Sequence, residues 1–194
     1  CKDVDTGAKQ AKIYAQALKD KFDIMPIIFY TNGYQIYMVD GAGGPARRVF
    51  GYYSLKELHS LIVRRKLGPI EDTRVNQEIS DRYFIQNACT AVCTAYSGFK
   101  RKALNVMATG TGKTRFAISL VDILMRNNWV KNVLFLADRT ELVDQAKKAF
   151  AKYLPNATLC AISEVSGSQR DFDANVILST YPTMLNLLDT DEKT

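Results

Sequence analysis

The stretch that most constrains this chain is Met107-Ala108-Thr109-Gly110-Thr111-Gly112-Lys113-Thr114, set between the apolar run Ala103 to Val106 and an apolar-periodic segment from Phe116 to Met125. Two glycines one residue apart let the backbone curl, so that several N–H groups and the start of the following helix converge on one polyanion. Thr109, Gly110, Thr111 and Gly112 would form the cradle, Lys113 would reach the β- and γ-phosphates of ATP, and the Thr114 hydroxyl would ligate its Mg²⁺. The strict spelling of such a loop has glycine where this chain has Met107. A glycine-rich turn that binds nothing is the plain alternative, but it does not account for Gly-Lys-Thr at an apolar-run-to-helix junction.

With 47% apolar and 24% charged residues in 194, the chain can bury a proper core, which excludes disorder and leaves no run long enough to span a membrane. The net charge of +6 divides evenly by sequence: residues 1–80 carry 12 basic and 9 acidic groups, residues 81–194 carry 14 and 11. This permits nucleic-acid binding through local patches without requiring it. Cys1, Cys89, Cys93 and Cys160 lack metal-site spacing, and His59 lies far from all of them in sequence. Cys89 and Cys93, one helical turn apart, read as small buried residues, and the expected compartment is the reducing cytoplasm. The chain starts at Cys1 without an initiator Met and stops within what reads as an unfinished sheet, so a fragment is expected.

Gly7 to Phe22 places Ala11, Tyr14, Ala15, Leu18 and Phe22 at helical spacing, with Gln10 and Tyr14 on one face. Pro26 to Thr31 and Tyr34 to Val39 predict a hairpin closed by a type I′ turn at Asn32-Gly33. Arg47 to Tyr53 can add a short strand. Ser54 and Glu57 spell a capping box for a helix from Leu55 to about Lys66, which Gly68-Pro69 ends. Residues 68–80 read as a polar connector.

Farther on, Ile85, Ala88, Cys89, Val92 and Tyr96 line one helix face, and Lys100-Arg101-Lys102 reads as a solvated patch in a turn rather than a DNA clamp. Val133 to Ala137 predicts a buried strand, Glu141 to Tyr153 a helix, and Asn175 to Ser179 another strand. Strand, helix, strand in this order requires a right-handed crossover and a parallel sheet.

MATGTGKT resembles motif I of superfamily 2 helicases and translocases, in which the first position is relaxed. FLADRTELVDQA resembles their motif Ia, and the run from Val106 through Asn128-Trp129-Val130-Lys131 to Ala146 is similar to type I restriction enzyme motor subunits in particular. Ser179 to Met184 resembles motif Ib. The resemblance implies a RecA-like fold and strand ends that contact the DNA backbone, with Arg139 and Thr180 as candidates. Arg82 and Gln86 resemble the adenine-contacting element of these motors; a glutamine amide offers both a donor and an acceptor to the adenine edge. Asp191-Glu192 looks like the acidic motif II, but such an acid needs an apolar strand before it, and Leu188-Asp189-Thr190 reads as a polar loop. True motif II is expected beyond Thr194.

At the other end, Cys1-Lys2, then Gln10-Ala11-Lys12-Ile13-Tyr14, then Phe29 to Gly33 resemble the end of the nuclease domain of the same subunits. The resemblance implies that Lys2 is the catalytic lysine of a PD-(D/E)xK fold and that Gln10 and Tyr14 support cleavage. The carboxylates of that site would precede Cys1, and the interval from Lys2 to Gln10 is shorter than the family's. The organisation expected is thus α/β throughout: residues 1–67 as the C-terminal part of a nuclease domain, 68–80 as a connector, and 81–194 as the first part of RecA-like domain 1. The implied activity is ATP-dependent translocation and cutting of double-stranded DNA, with methyltransferase and specificity subunits as partners. Two alternatives stay open: a stand-alone superfamily 2 DNA helicase or translocase, and a non-hydrolysing ATP-binding interaction module.

Overall fold

The computed structural model describes residues 4–41, 43–162 and 171–191. The chain forms two compact units, one from Cys1–Gly68 with Gly98–Arg101 and one from Pro69–Ser97 with Lys102–Thr194.

The first unit holds helix α1 (Val4–Phe22), strands β1 (Ile28–Thr31), β2 (Ile36–Val39) and β3 (Arg47–Val49), and helix α2 (Leu55–Arg65). Its sheet is antiparallel in the order β1-β2-β3, with Phe29 opposite Met38 and Met38 opposite Arg47. That register places Phe29, Met38 and Arg47 on one face, and Tyr30, Tyr37 and Arg48 on the other. Met38 is completely buried, and the Tyr30 and Tyr37 rings stack 5.4 Å apart. The hairpin forms, but not through a two-residue type I′ turn. Thr31 pairs with Ile36, which leaves four residues in the loop, and of Asn32 and Gly33 only Gly33 takes a positive φ, +92°. The Asn32 side chain explains this, because its Oδ1 accepts from the N–H groups of Tyr34 and Gln35 and builds the turn itself. The capping box of α2 is present, with Ser54 Oγ accepting from Glu57 N and the Glu57 carboxylate accepting from Ser54 N at 2.7 Å.

The second unit is mixed α/β around a parallel sheet. Its elements are α3 (Tyr83–Ser97), α4 (Lys113–Arg126), β4 (Val133–Ala137), α5 (Thr140–Tyr153), β5 (Leu159–Ala161), β6 (Val176–Thr180) and α6 (Tyr181–Asp191). The strand order is β4-β6-β5, all parallel, with Val133 level with Val176 and Ala137 with Thr180. One core joins Ile118 and Val121 of α4 to Val143, Ala146 and Phe150 of α5 and Val176 and Leu178 of β6. A second core joins Ile123 and Leu124 of α4 to Ile85, Cys89 and Cys93 of α3 and to Ile70.

The structure adds two features to the sequence reading and corrects one further expectation. The apolar run before the glycine loop is not a strand here: Leu104 is 90% exposed and Val106 85%, and among the described residues no strand pairs with them. Apolar alternation alone does not make a strand when no neighbour takes its backbone hydrogen bonds. Leu188 to Thr190 is the end of α6 and not a loop. Strand β5 was not foreseen.

Residues 69–80 have little regular structure, yet they are tied down. Asp72 bonds Arg74 Nε at 3.0 Å and Arg126 Nη1 at 2.9 Å, while Arg126 Nη2 donates to the Arg74 carbonyl and Asn127 Nδ2 to that of Asp72. The side-chain and backbone hydrogen bonds from Arg74 bring the Asp72 carboxyl down from 3.8 to about 2. Because this folded value lies below the ordinary one, the interaction stabilises the fold fully above pH 3.8 and is lost as pH falls through about 2. Asp72→Asn is therefore expected to flatten the decline of the urea midpoint across that window, and identical declines in the two proteins would count against the tie. In the second core, burial and neighbouring Cys93 push the Cys89 thiol up to about 12, and burial raises Cys93. Both thiols are expected to resist an aromatic disulfide reagent at neutral pH until the chain is unfolded, which mass spectrometry of the labelled protein would check.

Candidate functional site

The glycine loop runs from Thr109 into α4. Gly110 has φ +76° and Gly112 φ +99°, values that residues with a side chain rarely adopt. Room is not the constraint: a Cβ on Gly110 would meet nothing within 4 Å, and one on Gly112 would make only ordinary contacts with Ile85 and Arg82. Gly112 is the N-cap of α4 and gives it no side-chain cap hydrogen bond. The first turn carries no acidic residue, and Lys113 stands in it. A cation at the positive end of a helix dipole is unfavourable by itself, and an anion seated there reverses the sign. Lys113 and Thr114 are exposed and adjacent to that end. These features fit a phosphate chain.

Two contacts brace the loop. Thr111 Oγ1 donates to the Ala108 carbonyl at 2.7 Å, and Arg82 Nη1 donates to the Thr111 carbonyl at 2.8 Å. Arg82 thus meets the phosphate loop directly, with its guanidinium 5.9 Å from the Phe84 ring centre. Gln86 is placed differently. Its Oε1 accepts from Val75 N at 2.8 Å, and its Nε2 donates to the Thr73 carbonyl at 2.8 Å and to Thr90 Oγ1 at 3.0 Å. Both amide donors are occupied within the protein, and one acceptor position of Oε1 is left over.

Arg139 and Thr180 lie at one edge of the parallel sheet, because Ala137 and Thr180 end β4 and β6 at the same level. Arg139 is the N-cap of α5, exposed, with Nε 3.6 Å from Asp138. Thr180 is nearly buried; its Oγ1 shares a 2.8 Å hydrogen bond with Thr183 Oγ1 and accepts from Thr183 N at 3.3 Å, so it caps α6. In the first unit, Gln10 Nε2 donates to Tyr14 Oη at 2.9 Å on the exposed face of α1. Lys2 lies outside the described residues. Among the described residues there is no group of three or more His, Cys, Asp or Glu side chains that could hold a metal ion.

Sequence reasoning passed over Arg115. Its Nη1 donates to the Ile79 carbonyl at 2.8 Å and its guanidinium lies 5.3 Å from the Tyr153 ring centre, so it ties the start of α4 to residues on either side. Its place directly after Lys-Thr gave no hint of that role.

Comparison with known proteins adds lineage to this geometry. The chain is 38% identical over 102 residues to the "Type I restriction enzyme EcoAI endonuclease subunit" of Escherichia coli, covering 53% of this chain and 12% of that protein. It is 38% identical over 91 residues to the "Type I restriction enzyme EcoKI endonuclease subunit" of Escherichia coli strain K12, covering 46% of this chain and 8% of that one. The chain therefore spans about a tenth of the length of the curated relatives it matches. A solved fragment assigned to an HsdR subunit of a type I restriction enzyme from Vibrio vulnificus YJ016 aligns over 97% of this chain and 34% of its own, at 23% identity and a TM-score of 0.44, a level that fixes no residue's role. Residues 78–194 match the family described as "Type III restriction enzyme, res subunit", and with more than half of its length inside that match the chain belongs to this helicase-like family of restriction enzyme subunits.

Proposed function

We propose that this chain is part of the motor and restriction subunit of a type I restriction-modification enzyme, an ATP-dependent translocase and endonuclease acting on double-stranded DNA. The observation that carries the reading is the loop at Gly110 to Thr114: two positive-φ glycines, a helix start with no side-chain cap, and an exposed Lys-Thr pair. The 38% identity to two type I restriction enzyme endonuclease subunits supports reading that nucleotide site as part of a restriction enzyme rather than of another ATP-driven protein.

In this reading residues 81–194 are the first part of a RecA-like domain, residues 68–80 a connector, and residues 1–67 the end of a PD-(D/E)xK nuclease domain. ATP with Mg²⁺ supplies the phosphoryl transfer that drives movement. Thr109 to Gly112 and the start of α4 bind its phosphates through backbone N–H groups, Lys113 neutralises the outer phosphates, and Thr114 offers its hydroxyl to the metal. Arg82 steadies the loop through the Thr111 carbonyl. Gln86 serves the adenine side, through its remaining acceptor position and through the residue 73–75 backbone it holds. Arg139 contacts the DNA backbone at the carboxyl edge of the sheet, where such a donor positions a duplex without reading bases, and Thr180, whose hydroxyl caps α6, shapes that edge. Lys2 stabilises charge at the attacked phosphate, and the bonded pair Gln10 and Tyr14 supports it. The partners are the methyltransferase and specificity subunits, in the cytoplasm.

Lys113→Ala is expected to weaken binding of a fluorescent ATP analogue with Mg²⁺ by roughly tenfold to a hundredfold, the loss that goes with one charge-assisted contact. Undiminished binding would remove the loop from the nucleotide site. In the full-length subunit, Lys2→Ala is expected to abolish DNA cleavage and leave DNA-stimulated ATP hydrolysis near its normal rate. Normal cutting by that variant would end the nuclease reading of residues 1–67 and favour the stand-alone helicase.

A further inference from the structure

A phosphate loop works only when its N–H groups face the anion and its carbonyls face away, because a carbonyl oxygen turned inward repels a phosphate. The peptide bond makes these a single choice. Its C=O and N–H lie in one plane and point in opposite directions, so fixing the carbonyl of one residue aims the N–H of the next. Glycine is where that choice is least secure. A half-turn of the peptide between Thr111 and Gly112 takes the Gly112 φ from +99° to about −80°, and both values are open to glycine.

Two carbonyls of this loop are tied back. Thr111 Oγ1 holds the Ala108 carbonyl at 2.7 Å and so sets the Thr109 N–H, while Arg82 Nη1 holds the Thr111 carbonyl at 2.8 Å and so sets the Gly112 N–H. The first tie lies within the loop. The second comes from another element, 29 residues away in sequence, and its base is fixed on both sides. The Arg82 carbonyl accepts from Ile85 N at 3.0 Å and Gln86 N at 3.3 Å, which places Arg82 at the start of α3, and its own N–H donates to Ser80 Oγ at 3.3 Å. Ile79 and Ser80, just before it, are buried, and the Ile79 carbonyl accepts from Nη1 of Arg115 in the first turn of α4. The two arginines cross in opposite senses, one from the start of α3 to the loop and one from α4 back to the chain ahead of α3. At the loop's entry Met107, standing where the strict spelling has glycine, packs against the core shared by α3 and α4.

We propose that Arg82 is a positioning residue of the nucleotide site, a lock on the peptide between Thr111 and Gly112 that keeps the Gly112 N–H turned toward the phosphates before any ligand arrives. The proposal rests on reading the loop as a nucleotide site, and deepens it. It moves Arg82 from the adenine side, where sequence reasoning put it, to the phosphate side. The guanidinium is spent on a carbonyl, so it acts through the geometry of another group and reads no base. Without the lock the peptide samples both orientations, and the apparent affinity for a phosphate chain falls with the fraction that is competent.

The test measures binding of Mg²⁺-ATP and of Mg²⁺-tripolyphosphate, which carries a phosphate chain and no base, by competition with the fluorescent ATP analogue, alongside amide NMR spectra of the ligand-free chain. Arg82→Ala is expected to weaken both ligands by the same factor, roughly threefold to thirtyfold, as for the loss of one exposed charge-assisted hydrogen bond. Arg82→Lys keeps a donor and should recover most of the affinity, which separates lost positioning from misfolding. In the free Arg82→Ala chain the Gly112 amide signal should broaden by exchange between two orientations, while those of Ile118 and Val121, deeper in α4, stay sharp. A residue that touched adenine would weaken ATP and spare tripolyphosphate, and one that bound phosphate directly would leave the free Gly112 signal unbroadened; either result overturns the proposal. So does a lysine variant as weak as the alanine one. If Lys113→Ala loses affinity and Arg82→Ala loses none, the lock falls and the nucleotide site stands; if the wild-type chain holds neither ligand, both fall.

Discussion

Helix α4 is the element on which the second unit depends, because it is the one described helix that supplies residues to both of its cores. Ile118 and Val121 go to the core under the sheet, and Ile123 and Leu124 go to the core under α3. Full burial of each such aliphatic side chain contributes about 1.5–3 kcal/mol, so the helix is fixed along most of its length before any polar contact is counted. Its N-terminus can then afford to be poorly capped. The glycines, the uncapped N–H groups and Lys113 would unravel an isolated helix end, and they persist because packing one and two turns farther on holds the backbone. A phosphate site is built where a helix is anchored by its body and left unsatisfied at its tip.

The other end of α4 organises the irregular stretch that precedes α3. Arg126 and Asn127 bond backbone carbonyls of Asp72 and Arg74, and Gln86 of α3 bonds the backbone of Thr73 and Val75. Exposed ion pairs such as Arg74 with Asp72 add little to stability, because water screens them. Their larger effect is to give partners to peptide groups that no strand or helix satisfies. The same network accounts for Gln86 being less available to a ligand than its position upstream of the glycine loop suggests.

Much of this was legible. The capping box at Ser54 and the apolar face of α3 follow from local chemistry and period, and local packing upheld them; Val133 to Ala137 forms the expected strand but not a buried one, since Leu134 and Leu136 are exposed. The glycine loop was readable because its chemistry tolerates few other spellings. What escaped was decided at long range. Leu159 to Ala161 is a strand only because β6 lies beside it, and three residues carry too little pattern to show that alone. Helix α6 did announce itself, with Thr180 as cap and Pro182 in the first turn, but the resemblance of Ser179 to Met184 to a motif drew attention from the capping signal.

The first unit is discontinuous, and this bears on how the chain comes to be made. Its segment Gly98–Arg101 is encoded after α3, which belongs to the other unit. A ribosome delivering the chain from its N-terminus therefore releases all of α3 before the first unit can be closed by Phe99 settling on Gly43 and Gly44. Phe99 holds φ +63°, a left-handed conformation that a bulky aromatic adopts only when its surroundings insist, so the segment is not preset to dock. Domains that fold strictly one after another during synthesis are the simpler case. Here the segment that completes the earlier unit is made after α3, so that unit cannot be complete until part of the later one has been synthesised.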